Sequence, residues 1–586
     1  MPTFPYLDAQ TTQRDTTDSF YGYNHQTKIG KGEFYETRNL STDHTPMLAP
    51  RRPRGITEVS GELQGIIEKD ALAYVAGGTL YYNGAATPVT GLASGAKQLV
   101  SMGAYIIIFP DKVYYNTADG ADYGSMEATF NTTGSVSYAL CRADGDEYTT
   151  PTVSATEPDN PQNLDLWIDT SSTPHVLRQY GSAAGTWAEI VTVYTKLTFS
   201  TQGQIPALFA KYDGVTISGA SFADANGDKI IYAVGGEADN AADYIVVVGL
   251  LEQAYSDETS DITIKRSVPQ MDYVCECQNR LWGCYYGNDG TQNLNELYCC
   301  ALGDFKNWRQ YLGLSTDSWT ASVGSDGVWT GCVNYLGSPL FFKENRIHRI
   351  TVSSTGAHRV AETVARGVQR GSSRSLAVVN ETLYYKSRED ICAYQGGFPT
   401  GVSEALGQEL YSDAAAGAVG SKYYISMKGK AGGWHLFCFD ISKTLWMHED
   451  ELHGEAFARV DDELYCIANG KLVGLLGYGG TQETDVSWEA VSGVMYYEYP
   501  GNKYISRYDI RLNMAKGAKF EVYIEYDSTG EWQRGGSVTA YREGTTSYTF
   551  PIRPRRCDHM RLKLCGTGES RVFSIARILE IGSGYR

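Results

Sequence analysis

ETLYYKSREDICAYQG, residues 381–396, reads as a strand, a polar turn and a second strand. Its β-branched and aromatic residues suit a pleated surface, and the charged SRED between them breaks it. The same pattern returns as LAYVAGGTLYYNG (72–84), SPLFFKENRIHRI (338–350), KYYISMKGKAGGWHLFCFD (422–440) and ELYCIANGKLVGLL (463–476). In the second half the first strands begin near 339, 382, 422 and 463, at steps of 43, 40 and 41 residues. A hairpin repeat of about 40–45 residues is the mark of a propeller blade. Six Tyr-Tyr pairs punctuate the chain. Five lie in the repeat, at 81–82, 114–115, 285–286, 384–385 and 423–424, and Tyr496-Tyr497 lies beyond it. Neighbours on a strand point to opposite faces. One ring of each pair is therefore expected between blades, and the other toward a neighbour or water.

Working outward, residues 1–58 read as an extended N-terminal arm, stiffened by Pro46, Pro50 and Pro53. Residues 59–133 carry two hairpins, LAYVAGGTLYYNG and AYIIIFPDKVYYN, the first part of the propeller. At 134–200 the texture changes, with Pro151, Pro158, Pro161, Pro174 and the stretch LDLWIDTSSTPHVLRQYGSAAGTWAEI (164–190). This reads as a small β-domain inserted at a propeller loop, a place where insertion is tolerated. The propeller is expected to resume over 201–483, with KIIYAV (229–234) and YIVVVGLL (244–251) among its strands. From 484 to 586 the period stops, and six or seven strands separated by Gly, Asp and Pro turns suggest a C-terminal β-sandwich. The expectation is an all-β chain: a β-propeller of six to eight blades, an inserted small β-domain and a β-sandwich. No long segment has helical periodicity; VSEALGQEL (402–410) offers at most a turn.

Composition narrows the function. Of 586 residues 42% are hydrophobic and 12% aromatic, enough for several cores. The net charge of −18 argues against general attraction to nucleic acid or anionic membrane. No apolar stretch approaches the roughly 20 residues that span a bilayer. The polar first twenty residues have no signal core, so the chain is expected to fold where it is made. Twelve cysteines, including Cys275-x-Cys277 and Cys299-Cys300, lack zinc-site spacing and read as buried, reduced thiols.

Catalytic signatures are missing. There is no P-loop, no H-E-x-x-H and no nucleophile elbow. GSDGVWTG (324–331) is the nearest text to a sialidase box; it occurs once, with the wrong spacing, and reads as a turn before a strand. The acidic HEDELHGE (448–455) reads as a solvated loop rather than a metal site. No cofactor is implied, and the chain is expected not to be an enzyme. Two basic clusters stand out, Arg51, Arg52 and Arg54, and Arg553, Arg555 and Arg556. In an acidic subunit they are candidates for intersubunit pairing with carboxylates, with phosphate binding and pairs inside the chain as the alternatives. Trp167, Tyr180 and Trp187 are candidates for stacking on sugar rings, set against a role as the small domain's own core.

GDFKNW (303–308), the stretch 315–350 and RGVQRGSSRSLAVVNETLYYKSREDICAYQG (366–396) resemble the propeller region of short-tailed phage tail nozzle, or tail tubular protein B-like, proteins. FYGYNH (20–25), NLSTDHTPMLAPR (39–51) and PRRCDHMRLKLCGTG (554–568) resemble virion structural proteins of gut Firmicutes phages. The family's N-terminal adaptor-docking portion finds no match here, so neck, tail-tip and baseplate positions stay open. The resemblance implies a bacteriophage virion structural protein, a homo-oligomeric ring, commonly of six copies, in the viral tail. Its partners would be itself and other tail proteins, assembled in the host cytoplasm, with phage DNA passing through an acidic lumen during ejection. The alternative is a tail-borne receptor- or carbohydrate-binding protein that meets host surface glycan; a propeller glycan hydrolase comes third.

Overall fold

The computed structural model describes residues 11–236, 241–253, 255–257, 261–353, 356–496, 503–553 and 555–581. Their regular structure is nearly all strand; one short helix, Gln204–Leu208, and three single 3₁₀ turns are the exceptions among the described residues. Seven antiparallel sheets succeed one another at 63–86, 98–125, 273–322, 331–364, 377–401, 411–450 and 454–482, here blades 1 to 7. The second strands of blades 4 to 7 begin at Ser338, Thr382, Lys422 and Glu463, in step with the sequence repeat. Each blade's first strand lies beside the first strand of the next, or beside the turn leading into it. The first strand of blade 7, Gly454–Val460, lies beside that of blade 1, Leu63–Lys69, and closes the ring.

The hydrophobic cores lie between blades. Leu340, Phe342 and Ile347 of blade 4 pack with Leu383, Tyr385 and Cys392 of blade 5. Tyr384 and Ile391, on the opposite side of blade 5, pack with Tyr423, Ile425 and Phe437 of blade 6. Tyr424 then joins Leu464 and Cys466 of blade 7. The expectation that one tyrosine of each pair faces outward is thus corrected for the 384–385 and 423–424 pairs. A blade inside a ring has a neighbour on each side, so both faces of its strands are buried. Tyr286, 41% exposed, does reach the surface. Tyr497 lies outside the described residues. All twelve cysteines are free thiols, and all but Cys332 and Cys565 are buried.

The N-terminal segment is woven into both larger units. Thr11–Thr17 pairs with Ser570–Ile581, and Phe34–Arg38 pairs with Ser487–Ser492. Gly55–Thr57 pairs with Lys471–Gly474 and with Thr481–Gln482, adding an N-terminal strand to blade 7. The extended N-terminal arm is therefore a strap along its own chain, a clasp on the last blade. Its polar, Pro-rich text hides the strands because each is short and takes its partner from the far end of the chain.

The inserted domain differs from its expected bounds. It runs from Ala128–Asn131 to Thr263–Arg266, which pair with each other. Tyr244–Val248 lies between Tyr194–Phe199 and Ala233–Gly235, and Gly227–Ile230 pairs with Gly214–Ser218. The runs KIIYAV and YIVVVGLL belong to this domain and not to the propeller; their composition announces a strand and says nothing of its partner. Val136, Leu197, Phe199, Ile217, Ile245 and Ile264 form the core. A separate four-stranded sheet, 152–189, is formed by the stretch of chain that connects Val136–Cys141 to its partner strand Tyr194–Phe199.

The C-terminal region is a sandwich of two antiparallel sheets, in which seven strands from 487–581 are joined by the two N-terminal strands. Phe520, Val522 and Ile524 alternate into its core with Leu562 and Leu564. Tyr523 instead faces out beside Glu521, to which its hydroxyl donates at 3.0 Å.

Candidate functional site

Two of the arginines expected at subunit contacts pair inside the chain. Arg54 is 3% exposed; it holds Glu449 at 2.9 Å and Asp450 at 2.5 Å. Arg51 bonds Glu483 at 2.7 Å and Asn39 at 2.8 Å. The clasp carries these guanidinium groups across blades 6 and 7, where inward-pointing carboxylates meet them. Removing one partner from such a buried pair leaves an uncompensated charge. Arg52 is exposed and donates to the Tyr478 hydroxyl at 2.7 Å. Arg553, Arg555 and Arg556 are also exposed, with Arg555 lying 5.4 Å over the Tyr526 ring.

The acidic HEDELHGE text is not a free loop. His448, Glu449 and Asp450 end a strand of blade 6, Glu449 and Asp450 face Arg54, and Glu451 pairs with Arg38 at 2.9 Å. No group of metal-ligating side chains is found among the described residues. Ser325 of GSDGVWTG places its Oγ 2.9 Å from His348 Nε2, which Glu362 Oε2 also approaches, at 3.2 Å. A nucleophile relay needs its acid on the other ring nitrogen, and His348 Nδ1 is buried without a partner. Trp329, 2% exposed, donates to the Tyr285 carbonyl at 3.2 Å. The turn is structural.

The 152–189 sheet brings the three aromatic candidates together. Its order is Thr152–Ser154, Leu166–Asp169, Val176–Gly181, Thr186–Glu189. Register pairs Trp167 with Arg178, and Tyr180 with Trp187. Paired residues share a face, as do residues two apart on one strand, so Trp167, Arg178, Tyr180 and Trp187 lie on the same side. The opposite side presents Leu166, Ile168 and Leu177, which enter the insertion's core. The Trp167 and Trp187 rings meet edge-on at 5.5 Å, and Tyr180 packs at 5.3 Å from Trp187. Trp167 is the covered floor, 5% exposed, its indole N–H on the Ser154 carbonyl at 2.9 Å. Tyr180 and Trp187 are half-buried.

A polar rim completes this face, and sequence reading missed it. Arg178 Nε donates to Asp169 at 3.1 Å while its guanidinium lies 5.8 Å over the Trp167 ring. Hydrogen bonds from Ser171, then from Arg178, hold the Asp169 carboxyl below its usual range. Glu189 pairs opposite Arg178. The signal was present: in a hairpin, Asp169, Arg178 and Glu189 fall on the aromatic side once the register is known. A patch of aromatic area with a few fixed polar groups suits ligands that have both apolar and hydroxylated faces.

No protein-family model matches the chain, and no curated protein matches it. Solved structures do. An exo-β-1,3-galactanase from Phanerochaete chrysosporium is 8% identical, covering 52% of this chain and 94% of its own, with a TM-score of 0.22. A glycoside hydrolase family 43 arabinoxylan arabinofuranohydrolase from Bacillus subtilis is 12% identical over 72% of this chain and 96% of its own, TM-score 0.14. Trypanosoma rangeli sialidase is 8% identical over 77% and 91%, TM-score 0.17. Likeness at this level concerns the all-β fold alone. One expectation is withdrawn: the reading of the chain as not an enzyme rested on missing motifs and finds no support among these structures, two glycoside hydrolases and a sialidase, which at such TM-scores assign no activity to this chain either.

Proposed function

We propose that this chain is a carbohydrate-binding protein whose glycan-facing surface is the 152–189 sheet of its inserted domain. The observation that carries the reading is the division of that sheet's faces. Leu166, Ile168 and Leu177 already fill the core from one side, so Trp167, Tyr180 and Trp187 are not needed there. The half-exposed rings of Tyr180 and Trp187 offer apolar platforms to the C–H faces of a sugar, while Arg178, oriented by the buried Asp169, and Glu189 offer hydrogen bonds to its hydroxyls. On a phage tail, the setting that the sequence resemblance implies, such a face serves attachment to host-surface glycan.

The test is a broad glycan array probed with the full chain, wild type and Trp187→Ala. The expected result is selective glycan binding that Trp187→Ala removes while the melting temperature stays near wild type. Absence of any glycan binding, or a Trp187→Ala protein that binds as wild type does, overturns the reading.

A further inference from the structure

A cavity lies elsewhere, where the N-terminal clasp, blade 6 and the sandwich meet. Its volume is about 280 Å³, at the small end of organic-ligand sites. Tyr23 and Glu36 come from the clasp, Glu409, Tyr411 and His435 from blade 6 and its approach, and Glu489 from the sandwich.

The polar groups there are unequally satisfied. Tyr23 is 6% exposed and lines the cavity, yet its hydroxyl makes no hydrogen bond among the described residues. The hydroxyl is not sealed off; it opens on the cavity, where it can bond a ligand. Burial, and after it the nearby Tyr411, Glu36 and Glu409, push the Tyr23 phenol upward, which keeps it a neutral O–H facing carboxylates. Glu36 and Glu409 have no ion-pair partner among the described residues, whereas Glu451 holds Arg38 and Glu489 lies 3.6 Å from Lys563. The Tyr411 hydroxyl donates to Glu409 Oε2 at 3.2 Å, leaving Oε1 available. Gly429 backs this corner: a Cβ there would lie 2.7 Å from Glu409 Oε1 and 3.2 Å from His435 Nε2.

We propose that this cavity binds a small organic ammonium ion bearing hydroxyl groups, the chemistry of an amino sugar. Its ammonium is held by Glu36 and Glu409, and one of its hydroxyls by Tyr23. Charge-assisted bonds from ammonium to carboxylate are about twice as strong as neutral ones; Arg38, which also lines the cavity, is held by Glu451, and among the described residues no cation pairs with Glu36 or Glu409. A neutral sugar leaves both unanswered. The inference does not rest on the aromatic face of the inserted domain, which belongs to a different unit.

The experiment is calorimetric titration of the full chain at pH 7 with glucosamine, glucose and ethylammonium. Glucosamine is expected to bind saturably, with glucose and ethylammonium each at least about tenfold weaker, a difference easily resolved in Kd. Glu409→Gln and Tyr23→Phe are each expected to weaken glucosamine about tenfold, and Trp187→Ala to leave it unchanged. Glu409 is exposed, so its variant retains the fold and carries the test even if Tyr23→Phe misfolds. Failure of glucosamine to saturate overturns the proposal. So does glucose or ethylammonium binding as tightly, or wild-type affinity in Glu409→Gln. Loss of glucosamine binding in Trp187→Ala assigns the sugar to the inserted domain and also overturns it.

Discussion

Tyr384 and Tyr385 are consecutive, yet their rings belong to different cores. Tyr384 packs 5.5 Å from Tyr423 on one side of blade 5, and Tyr385 packs 5.3 Å from Phe342 on the other. Tyr385 is fully buried, and its hydroxyl donates to the Arg366 carbonyl at 2.6 Å. Truncating it opens a cavity between blades and leaves that carbonyl without its donor. Tyr385→Ala is expected to cost about 3–5 kcal/mol, and Tyr385→Phe about 1 kcal/mol for the lost hydrogen bond. Tyr286→Ala, at an exposed position, should stay within about 1 kcal/mol. Urea unfolding of the three variants checks the order; equal midpoints for Tyr385→Ala and Tyr286→Ala would contradict the inter-blade assignment.

Closure of the ring depends on Gly55. The strand Gly55–Thr57 passes so close to the 477–480 turn that a Cβ on Gly55 would lie 1.5 Å from the Gly479 carbonyl oxygen. Backbone cannot yield as a side-chain tip can, so Gly55→Ala should expel the clasp strand from blade 7. The expected loss is more than about 3 kcal/mol, with new protease cleavage between residues 40 and 60. Gly397→Ala, where a Cβ meets nothing within 4 Å and φ is not positive, controls for the general effect of replacing a glycine. Equal protease resistance of Gly55→Ala and wild type would show that the ring closes without this strand.

The propeller was legible because its period is local. The turns at 344–345 and 387–390 announce hairpins whose strands pair with their immediate neighbours. What stayed hidden depends on distant partners. Phe34–Arg38 finds Ser487–Ser492, and Gly55–Thr57 finds Lys471–Gly474, across more than four hundred residues. The extent of the insertion was hidden for the same reason, since Ala128–Asn131 pairs with Thr263–Arg266. At the candidate site, Trp167, Tyr180 and Trp187 stood out by residue type. Asp169 and Arg178 did not, because only the register of their hairpin puts them on the aromatic side. The cavity around Tyr23 had no sequence signal, being assembled from three separate regions.

His448 gives the fold an acid-sensitive point. Burial, and after it the neighbouring His435, push its imidazole down to about 4; His435 Nδ1 and His448 Nε2 lie 3.2 Å apart. The folded value is below the unfolded value of about 6.5, so the unfolded chain binds the proton more readily. The stability that depends on neutral His448 is therefore complete above about pH 6.5 and is lost as pH falls toward 4. His448→Gln should lower stability at pH 7 slightly and flatten the decline between pH 6.5 and 4 by on the order of 2 kcal/mol. Unfolding midpoints at half-unit pH steps check this. A parallel decline in the two proteins would place the acid sensitivity in other groups.

The floor and the wall of the aromatic face should separate stability from binding. Trp167 is 5% exposed, its indole N–H is bonded to Ser154, and it is backed by the sheet that carries Leu166 and Ile168 into the core. Trp187 is half-buried, and among the described residues its ring packs with Trp167 and Tyr180. Trp167→Ala is expected to cost about 3–5 kcal/mol and to weaken glycan binding through disorder of the sheet. Trp187→Ala should cost no more than about 1 kcal/mol and still remove glycan binding. Trp187→Phe, which keeps a smaller apolar platform, should recover part of the affinity. Thermal unfolding of each variant beside its glycan titration decides the matter: if affinity falls only in step with stability across the three, these rings support the domain and the ligand contacts lie elsewhere.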